Sequence, residues 1–539
     1  MKRILLFALL LTFGAESANA QFFKKMFHRN QPVDTVAGLF RLQEVMGLVH
    51  DNYVDTPNTD RISEAAVRQM LRTLDPHSIY IAAKDVERTN ESLQGNFEGV
   101  GISFGIYNDT IVVAEVVPGG ASEKVGVLRG DKILRIDGGP ATGDSINNSF
   151  VFKHLRGKKG TLVVIDILRG RDTLSFHIIR DKVPINSIDT YFMADDTIGY
   201  IRLLRFARTS VDEFRKAVND LQKQGMTAMV LDLRGNSGGY LDIACGLANE
   251  FISTGRLLVY TEGRTQKRQD FRANRLGRFR KGNLVVLIDE NSASASEIVS
   301  GAVQDWDRGL VVGRRSFGKG LVQRMYKLSD GAQVRITTAR YYTPSGRCIQ
   351  KPYENGADDY NADLARRYSH GEMVSSDSIH FADSLKYTTA GGRTVYGGGG
   401  IMPDVFVPMD TMRLSDYFIA CRSKGLQRQF AHQWADGHRG APEVKDFDTY
   451  LRFSDSLGID SLFEVYAAEN KVVRDTAKEQ DDPARVKHSD EYQHVLLKGL
   501  VAEQLFGLKY YYLVMKEVDN GYQSAITTLR VSPLSMRTK

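Results

Sequence analysis

The sequence predicts a multidomain α/β protein with an α/β core, an inserted β-rich domain and a helical C-terminal extension. Its 539 residues correspond to about three or four domains of roughly 100 to 200 residues each. Strand and helix patterns alternate between residues 198 and 305, which is typical of an α/β sheet. Apolar residues alternate along short strands in segment 96–182, whereas beyond about residue 410 they follow a helical spacing.

The composition is that of a soluble globular protein. Its 42% hydrophobic and 25% charged residues exclude collagen-like and wholly disordered chains. The three cysteines, Cys245, Cys348 and Cys421, allow at most one disulfide and form none of the close pairs that bind zinc or perform dithiol chemistry. The sequence therefore predicts neither a disulfide scaffold nor a metal site.

Positive charge is concentrated in one segment. The formal net charge is +6, and residues 264–281 carry eight basic side chains against the single acid Asp270. Such a run could bind phosphates, with Phe271 and Phe279 stacking on bases. We favour a solvated surface loop, because no nucleic-acid-binding motif accompanies the run, and we expect no nucleic-acid partner.

The N-terminus has the layout of a cleavable signal peptide at residues 1–20. Lys2 and Arg3 precede the apolar stretch Ile4–Phe13, and the small residues Ala18–Ala20 follow. The apolar stretch has about ten residues, whereas a membrane-spanning helix needs about twenty, so an uncleaved membrane anchor is the weaker alternative. We expect export, with the periplasm as the destination.

Four further regions are predicted from the element patterns. A helix at Ile62–Leu74 marks an N-terminal helical region, because Val67, Met70, Leu71 and Leu74 share one face. The regions are the N-terminal helical region, the β-rich domain, the α/β core and the C-terminal extension, at 21–95, 96–182, 183–409 and 410–539.

Individual strands and helices are predicted in detail for the β-rich domain and for the α/β core. Those of the β-rich domain are a strand from Ile102, a turn at Asn108–Asp109, and strands at Lys132–Ile136, Thr161–Leu168 and Thr173–Ile179. Those of the core are a strand at Gly199–Leu203, a helix opened by a capping box of Ser210 and Glu213, a strand at Ala228–Leu233, a glycine-rich turn at Arg234–Gly239, a buried strand at Leu284–Ile288 and a helix at Ala295–Asp305. Lys351–Gly400 resembles an insertion or long loop.

The segment Asn291–Glu297 is the first candidate for chemistry. A serine at this strand-to-helix turn lies near unpaired backbone N–H groups that can stabilise an oxyanion. The spacing alone favours another interpretation, in which Ser294 and Glu297 form a capping box. On composition alone, either Ser292 or Ser296 could also be the nucleophile.

A nucleophilic serine needs a base, and the second candidate segment, Ser316–Gln323, contains one. The histidines nearest in sequence to the serine segment are the distant His177 and His370. A more distant histidine is one option, and a lysine kept neutral by burial is the other. Lys319 lies between Gly318 and Gly320, where other backbone can approach closely, although most lysines are exposed loop residues.

Lys319 also belongs to a partial phosphate-binding loop. Gly313–Lys319 matches G-x-x-x-x-G-K, but Gly320 stands where that loop needs Ser or Thr. Residues 321–325 alternate like a strand, whereas a phosphate loop opens a helix. Together with export, these departures argue against nucleotide hydrolysis.

Several motifs in a common order resemble the carboxy-terminal processing peptidases, also called tail-specific proteases. The resemblance covers about residues 40 to 410 and rests on Leu74–Ser78, Asp232–Gly239, Ser292–Ile298, Gly313–Gln323 and Ala339–Gly346.

This resemblance implies a serine endopeptidase without a cofactor. Ser294 would be the nucleophile, Lys319 the general base and Gln323 the residue that orients its amine. The oxyanion would lie between the N–H of Ala295 and an N–H of Gly238 or Gly239. Asn236-Ser237 stands where many members have a third glycine, which leaves the choice between these two glycines open.

The β-rich domain resembles a PDZ domain. The resemblance rests on Val117–Ala121, on Gly130–Ile133 and on a loop formed by Gly99, Val100, Gly101 and Ile102. This loop would bind the C-terminal carboxylate of a polypeptide substrate. An adaptor or regulatory protein and a homo-oligomer are compatible with this interpretation. The alternative function is a non-catalytic PDZ-type peptide-binding scaffold.

Overall fold

The structure is a computed structural model that describes residues 33–410 and 414–531. The predicted signal peptide at 1–20 lies outside the described residues. Within the described residues the chain divides into two compact units, with the boundary between Leu71 and Arg72. The first unit contains helix α1 (Val33–Asn52) and all but the last residue of α2 (Thr59–Arg72), which confirms the predicted helix at Ile62–Leu74 with a shift of two to three residues.

In its described residues, the second unit contains three sheets of more than two strands and the remaining helices. Its longer helices are α3 (Val86–Gln94), α4 (Ala121–Val125), α5 (Asn148–Leu155), α6 (Ser210–Lys223), α7 (Leu241–Ala248), α8 (Ala295–Asp305), α9 (Ala357–Ser369), α10 (Asp416–Ser423), α11 (Leu426–His438), α12 (Phe447–Phe453), α13 (Ile459–Glu469), α14 (Thr476–Asp481), α15 (Pro483–Phe506), α16 (Leu508–Met515) and α17 (Asn520–Val531). Its strands are β1 (Ile79–Ile81), β2 (Asn96–Gly99), β3 (Ile102–Tyr107), β4 (Thr110–Val116), β5 (Lys132–Ile136), β6 (Gly139–Pro140), β7 (Leu162–Arg169), β8 (Asp172–Ile179), β9 (Asp181–Pro184), β10 (Ile188–Met193), β11 (Ile198–Leu203), β12 (Ala228–Asp232), β13 (Leu257–Glu262), β14 (Gln269–Arg272), β15 (Leu284–Ile288), β16 (Leu310–Gly313), β17 (Leu321–Lys327), β18 (Gln333–Tyr342), β19 (Lys386–Thr388), β20 (Thr394–Tyr396) and β21 (Val405–Phe406).

The β-rich domain is an antiparallel sheet with the order β3-β4-β5-β7-β8 and with β6 paired to β5. The predicted strands and the turn at Asn108–Asp109 are present, which confirms this part of the sequence analysis. Strand β3 lies at the edge of the sheet. Its free edge can accept an added strand.

The core contains a six-stranded sheet with the order β10-β11-β12-β15-β16-β21. All neighbours from β11 to β21 are parallel, so the predicted α/β arrangement is confirmed. Helices α6, α7 and α8 cover one face, burying Phe214, Leu247 and Val299. The helix α17 from the C-terminal extension covers the other face with Tyr522, Ala525, Ile526 and Leu529.

A second sheet of the core carries the loop around Lys319. It has the order β1-β18-β13-β14, and β17 pairs with β18. The residues after Lys319 therefore continue into strand β17, as their alternation predicted. Strand β1 directly follows residues 74–78 and pairs with β18.

Two predictions about local structure are wrong. Lys351–Gly400 is not simply a long loop, because it contains the 13-residue helix α9 and the β19–β20 hairpin. The capping box of Ser210 and Glu213 does not form: the Glu213 carboxylate accepts hydrogen bonds from the N–H groups of Ser187 and Ile188 instead, at 2.7 and 2.9 Å. The side chain that matched a local motif is used in a tertiary contact.

The basic segment 264–281 is largely a surface hairpin around β14. Asp270 pairs with both Arg268 and Arg272. Phe279 is only 3% exposed and belongs to the core, so its ring is not available to stack on a base.

The described part of the C-terminal extension is helical, as predicted. Residues from α10 to α16 form a hydrophobic cluster of their own that includes Phe430, Tyr450 and Phe463. Among the described residues, none of the helices combines the length and apolar character needed to cross a membrane.

Candidate active site

Ser294 lies in the connection from strand β15 to helix α8, directly before the first residue of the helix. Its φ of +57° is rare for a residue with a side chain. Such backbone strain persists only where surrounding structure holds it, and it is concentrated at functional sites. The next residue, Ala295, begins α8, so its N–H is one of the unpaired donors at the N-terminus of the helix.

The fully buried carboxylate of Glu297 connects the Ser294 segment to the Lys319 segment. Its Oε2 accepts hydrogen bonds from the N–H groups of both Ser294, at 2.7 Å, and Lys319, at 2.9 Å. Its Oε1 accepts from the Ser316 hydroxyl at 2.6 Å and the Gly318 N–H at 2.7 Å. Glu297 thus caps α8 and also holds the two candidate catalytic segments against each other.

Lys319 is surrounded closely by backbone. A Cβ atom at Gly318 would lie 3.1 Å from Gly400 N, and one at Gly320 would lie 2.8 Å from Gln350 N. Burial, and next the positive charge of Arg335, lower the pKa of the Lys319 ammonium. The fraction of neutral amine at a given pH is therefore larger than for an exposed lysine.

Gln323 lies four residues after Lys319 on β17. Lys319 Nζ donates to Gln323 Oε1 at 3.4 Å, and Gln323 Nε2 donates to the carbonyl of His77 at 2.8 Å. The second bond fixes which end of the amide faces the lysine.

Sequence reasoning missed His77, which the fold brings close to Lys319 from more than 200 residues away. Its ring Nε2 is 2.9 Å from the Tyr360 hydroxyl. Burial, and next the charge of Lys319, lower the pKa of His77 to about 4. The carboxylate of Asp75 fixes the segment by accepting hydrogen bonds from the N–H groups of His77 and Ser78 at 2.8 Å. The Leu74–Ser78 motif contained His77, but the proximity of His77 to Lys319 depends on the pairing of β1 with β18.

The glycine-rich turn contacts the Ser294 segment directly. A Cβ atom at Gly238 would lie 2.8 Å from the Ser294 Cβ and 3.0 Å from the Ala295 N, and Gly238 has a φ of +105°. The Gly238 N–H donates to Asn236 Oδ1 at 2.9 Å. The hydrogen bonds of the described residues leave the Gly239 N–H without an acceptor.

The other two serines of the motif hold this turn in place. Ser296 Oγ donates to the Asn236 carbonyl at 2.8 Å, and Ser292 Oγ donates to the Leu233 carbonyl at 2.8 Å. Both are fully buried, whereas Ser294 is partly exposed. Of the three serines, Ser294 is the one accessible to a substrate.

The predicted peptide-binding loop lies in the other domain. Gly99 ends β2, Ile102 begins the edge strand β3, and Gly101 has a φ of +82°. The Val100 and Gly101 carbonyls accept hydrogen bonds from Ser122 and Val117, which fixes the loop. Across the described ranges 33–410 and 414–531, no group of three or more His, Cys, Asp or Glu side chains is arranged to hold a metal ion.

Comparison with known proteins identifies two domains in the chain. Residues 197–358 match the model of peptidase family S41, and residues 99–179 match that of the PDZ domain. The chain is 36% identical over 328 residues to a carboxy-terminal-processing protease of Bartonella bacilliformis, across 60% of this chain and 74% of that protein. A probable CtpA-like serine protease of Staphylococcus aureus is 31% identical over 315 residues, across 58% of this chain and 63% of its own length.

Solved structures are also similar. The photosystem II D1 C-terminal processing protease has 26% sequence identity and a TM-score of 0.37, with coverage of 69% of this chain and 88% of that one.

The identity and coverage of the Bartonella relative, with the two matched domains, establish the family. The chain belongs to the carboxy-terminal-processing serine proteases of peptidase family S41 and carries a PDZ domain.

Proposed function

We propose that this protein is an exported serine endopeptidase that cleaves polypeptides near their C-termini through a Ser294–Lys319 dyad. The single observation that carries the proposal is the Glu297 oxygen that accepts hydrogen bonds from the N–H groups of both residues. The lowered pKa of Lys319 increases the share of the neutral amine that the reaction needs. Export follows from the N-terminal sequence.

The first half of the reaction forms an acyl-enzyme. Ser294 Oγ attacks the scissile carbonyl carbon while the neutral Lys319 amine takes the hydroxyl proton. The resulting oxyanion accepts hydrogen bonds from the N–H groups of Ala295 and Gly239, which have no competing acceptors among the described residues. The tetrahedral intermediate collapses, the C–N bond breaks, and the Lys319 ammonium gives its proton to the leaving amine.

The second half releases the product. Lys319, neutral again, takes a proton from water, which attacks the ester carbonyl. The Ser294 Oγ–acyl bond then breaks, the Lys319 ammonium returns its proton to Ser294 Oγ, and the new C-terminal carboxylic acid leaves and loses its proton to solvent. Gln323 keeps the amine directed through its Oε1, since its other end is held by the His77 carbonyl.

The PDZ domain is proposed to select substrates. Its loop from Gly99 to Ile102 would bind the terminal carboxylate with backbone N–H groups, while the peptide adds a strand to the free edge of β3. This proposal rests on the domain match and on the edge position of β3.

Cleavage of an unfolded protein substrate tests the dyad. Ser294→Ala and Lys319→Ala should each reduce cleavage by at least about 100-fold, because a nucleophile or general base is lost. Ser292→Ala and Ser296→Ala should retain part of the activity, because their hydroxyls bind backbone carbonyls. Circular dichroism checks that each variant is folded. Full activity of folded Ser294→Ala would overturn the dyad and place the nucleophile elsewhere, whereas a folded wild-type chain without cleavage activity would favour the non-catalytic scaffold.

The same assay tests the role of the PDZ domain with substrates that carry a free or an amidated C-terminus. Amidation removes the charge that the loop should bind, so KM should rise while kcat changes little. Equal KM values for the two substrates would argue against recognition of the tail.

A further inference from the structure

The C-terminal extension reaches the back of the glycine-rich turn through one ion pair. Arg234, the first residue of that turn, donates from two nitrogens to Asp519 at 2.7 and 2.8 Å. Asp519 immediately precedes helix α17, and its Oδ1 also accepts a hydrogen bond from the Tyr522 N–H at 3.0 Å. The carboxylate is thus fixed by its own helix and forms a bidentate ion pair with the arginine, a geometry typical of strong pairs.

Arg234 also binds Asp232, the last residue of strand β12. Its Nε and one terminal nitrogen donate to the buried Asp232 carboxylate at 2.6 to 3.0 Å, and its own N–H donates to Asp232 Oδ1 at 2.9 Å. Burial alone would raise the pKa of Asp232, but the charges of Arg234 and Arg202 lower it to about 2. The guanidinium therefore lies between two carboxylates, one from the core and one from the extension.

On this side the turn is also held by the Gly235 N–H, which donates to Asp289 Oδ1 at 2.9 Å. A cleft of about 660 Å³ separates the core from the extension here, and it is lined by Arg234, Gly235 and Asp289 on one side and by Asp519, Asn520 and Gly521 on the other. The ion pair is the direct bond across the cleft to Arg234.

We infer that Asp519 is a positioning residue for the oxyanion site, so that the C-terminal extension takes part in catalysis without touching the substrate. Through Arg234 it holds the turn whose far end carries Gly238 and Gly239 beside Ser294. The inference rests on the proposed function. An oxyanion donor acts mainly in the transition state, so its displacement lowers kcat more than it raises KM.

Asp519→Asn in the full-length chain tests the inference, because Asn keeps the helix cap but removes the charge that holds Arg234. Asp446→Asn is the matched control: Asp446 caps α12 in the same way, through the Thr449 N–H at 2.8 Å, far along the chain from Arg234. We expect Asp519→Asn to lower kcat about tenfold with little change in KM, and Asp446→Asn to leave kcat unchanged.

Inhibition by a peptide aldehyde distinguishes a positioning role from a merely structural one, which would leave the inhibition constant unchanged. The adduct of the aldehyde with Ser294 places an oxygen where the oxyanion forms, so the inhibition constant should rise in Asp519→Asn by about the same factor as kcat falls. Asp519→Ser, which also keeps a cap, provides a second variant if the first folds poorly.

Three results would overturn the inference: wild-type kcat in Asp519→Asn, an equal loss in Asp446→Asn, or a loss of kcat with unchanged aldehyde inhibition. Ser294→Ala, assayed alongside, separates this inference from the proposed function. An inactive Ser294→Ala with a fully active Asp519→Asn overturns the positioning role alone, whereas an active Ser294→Ala overturns the dyad.

Discussion

Lys319 must lose its proton before it can serve as a base, and two features of its surroundings favour that loss. Burial removes the water that would stabilise an ammonium, and the guanidinium of Arg335 on β18 disfavours a second positive charge nearby. His77, whose pKa is lowered to about 4, adds no charge at neutral pH. The neighbourhood therefore keeps the amine available at a lower pH than an exposed lysine would allow.

Arg335→Gln should move the acid limb of the pH profile of kcat/KM to higher pH. Removing the cation takes away one cause of the lowered pKa, so the Lys319 pKa rises towards its usual value and activity appears later as pH increases. Arg324→Gln is the matched control, since Arg324 is an exposed arginine on the adjacent strand β17. An unmoved limb in Arg335→Gln, or equal shifts in both variants, would contradict this electrostatic assignment.

At the scale of single residues, sequence alone could identify the types of group but not all of their partners. Ser294, Lys319 and Gln323 stand in contiguous motifs, and the structure brings them into one region. His77 could not be chosen from eleven histidines, because its approach to Lys319 depends on long-range strand pairing. The sequence also predicted only part of the role of Glu297. The capping interpretation accounts for its hydrogen bond from the Ser294 N–H, but not for the bonds from the three donors in residues 316–319.

At the scale of elements, the turn Arg234–Gly239 and the start of helix α8 act as one assembly. The Asn236 carbonyl accepts hydrogen bonds from Ala293 N–H and Ser296 Oγ, at 3.0 and 2.8 Å. The Gly238 position then comes so close to Ser294 that a side chain cannot be placed there without movement.

Gly238→Ala should lower kcat by about 100-fold, as the loss of an oxyanion donor does, because the new methyl group displaces the turn or the serine. Gly235→Ala is a matched control within the same turn. Its φ is also positive, at +71°, but a Cβ there meets no atom within 4 Å. It should retain kcat within a few-fold. Comparable losses in the two variants would mean that backbone strain, not the clash beside Ser294, decides activity.

Element boundaries were predictable where the local pattern and the tertiary packing agree. Helix α8 begins at Ala295 and ends at Asp305, as its sequence predicts. The prediction failed at Ser210 and Glu213, where a local motif was matched but the carboxylate bonds to backbone at the start of β10. It failed again at residues 351–400, where polar composition hid helix α9, whose Tyr360 bonds to His77.

At the scale of the whole molecule, the described part of the C-terminal extension is integrated with the protease core. Helix α17 covers the face of the central sheet opposite α6, α7 and α8, and its cap Asp519 binds Arg234 of the turn. The sequence predicts these helices from their periodicity, but an apolar face does not identify the surface that it covers. The contacts of these helices with the core can therefore be identified only in the folded structure.

The most direct test of the central claim is covalent labelling of the wild-type chain with a fluorophosphonate, followed by mass spectrometric mapping at several pH values. We predict one modified serine, Ser294, a labelling rate that rises with pH as Lys319 loses its proton, and a loss of at least about 100-fold in Lys319→Met. Labelling of Ser292 or Ser296, or wild-type labelling rates in the Lys319 variant, would contradict the dyad.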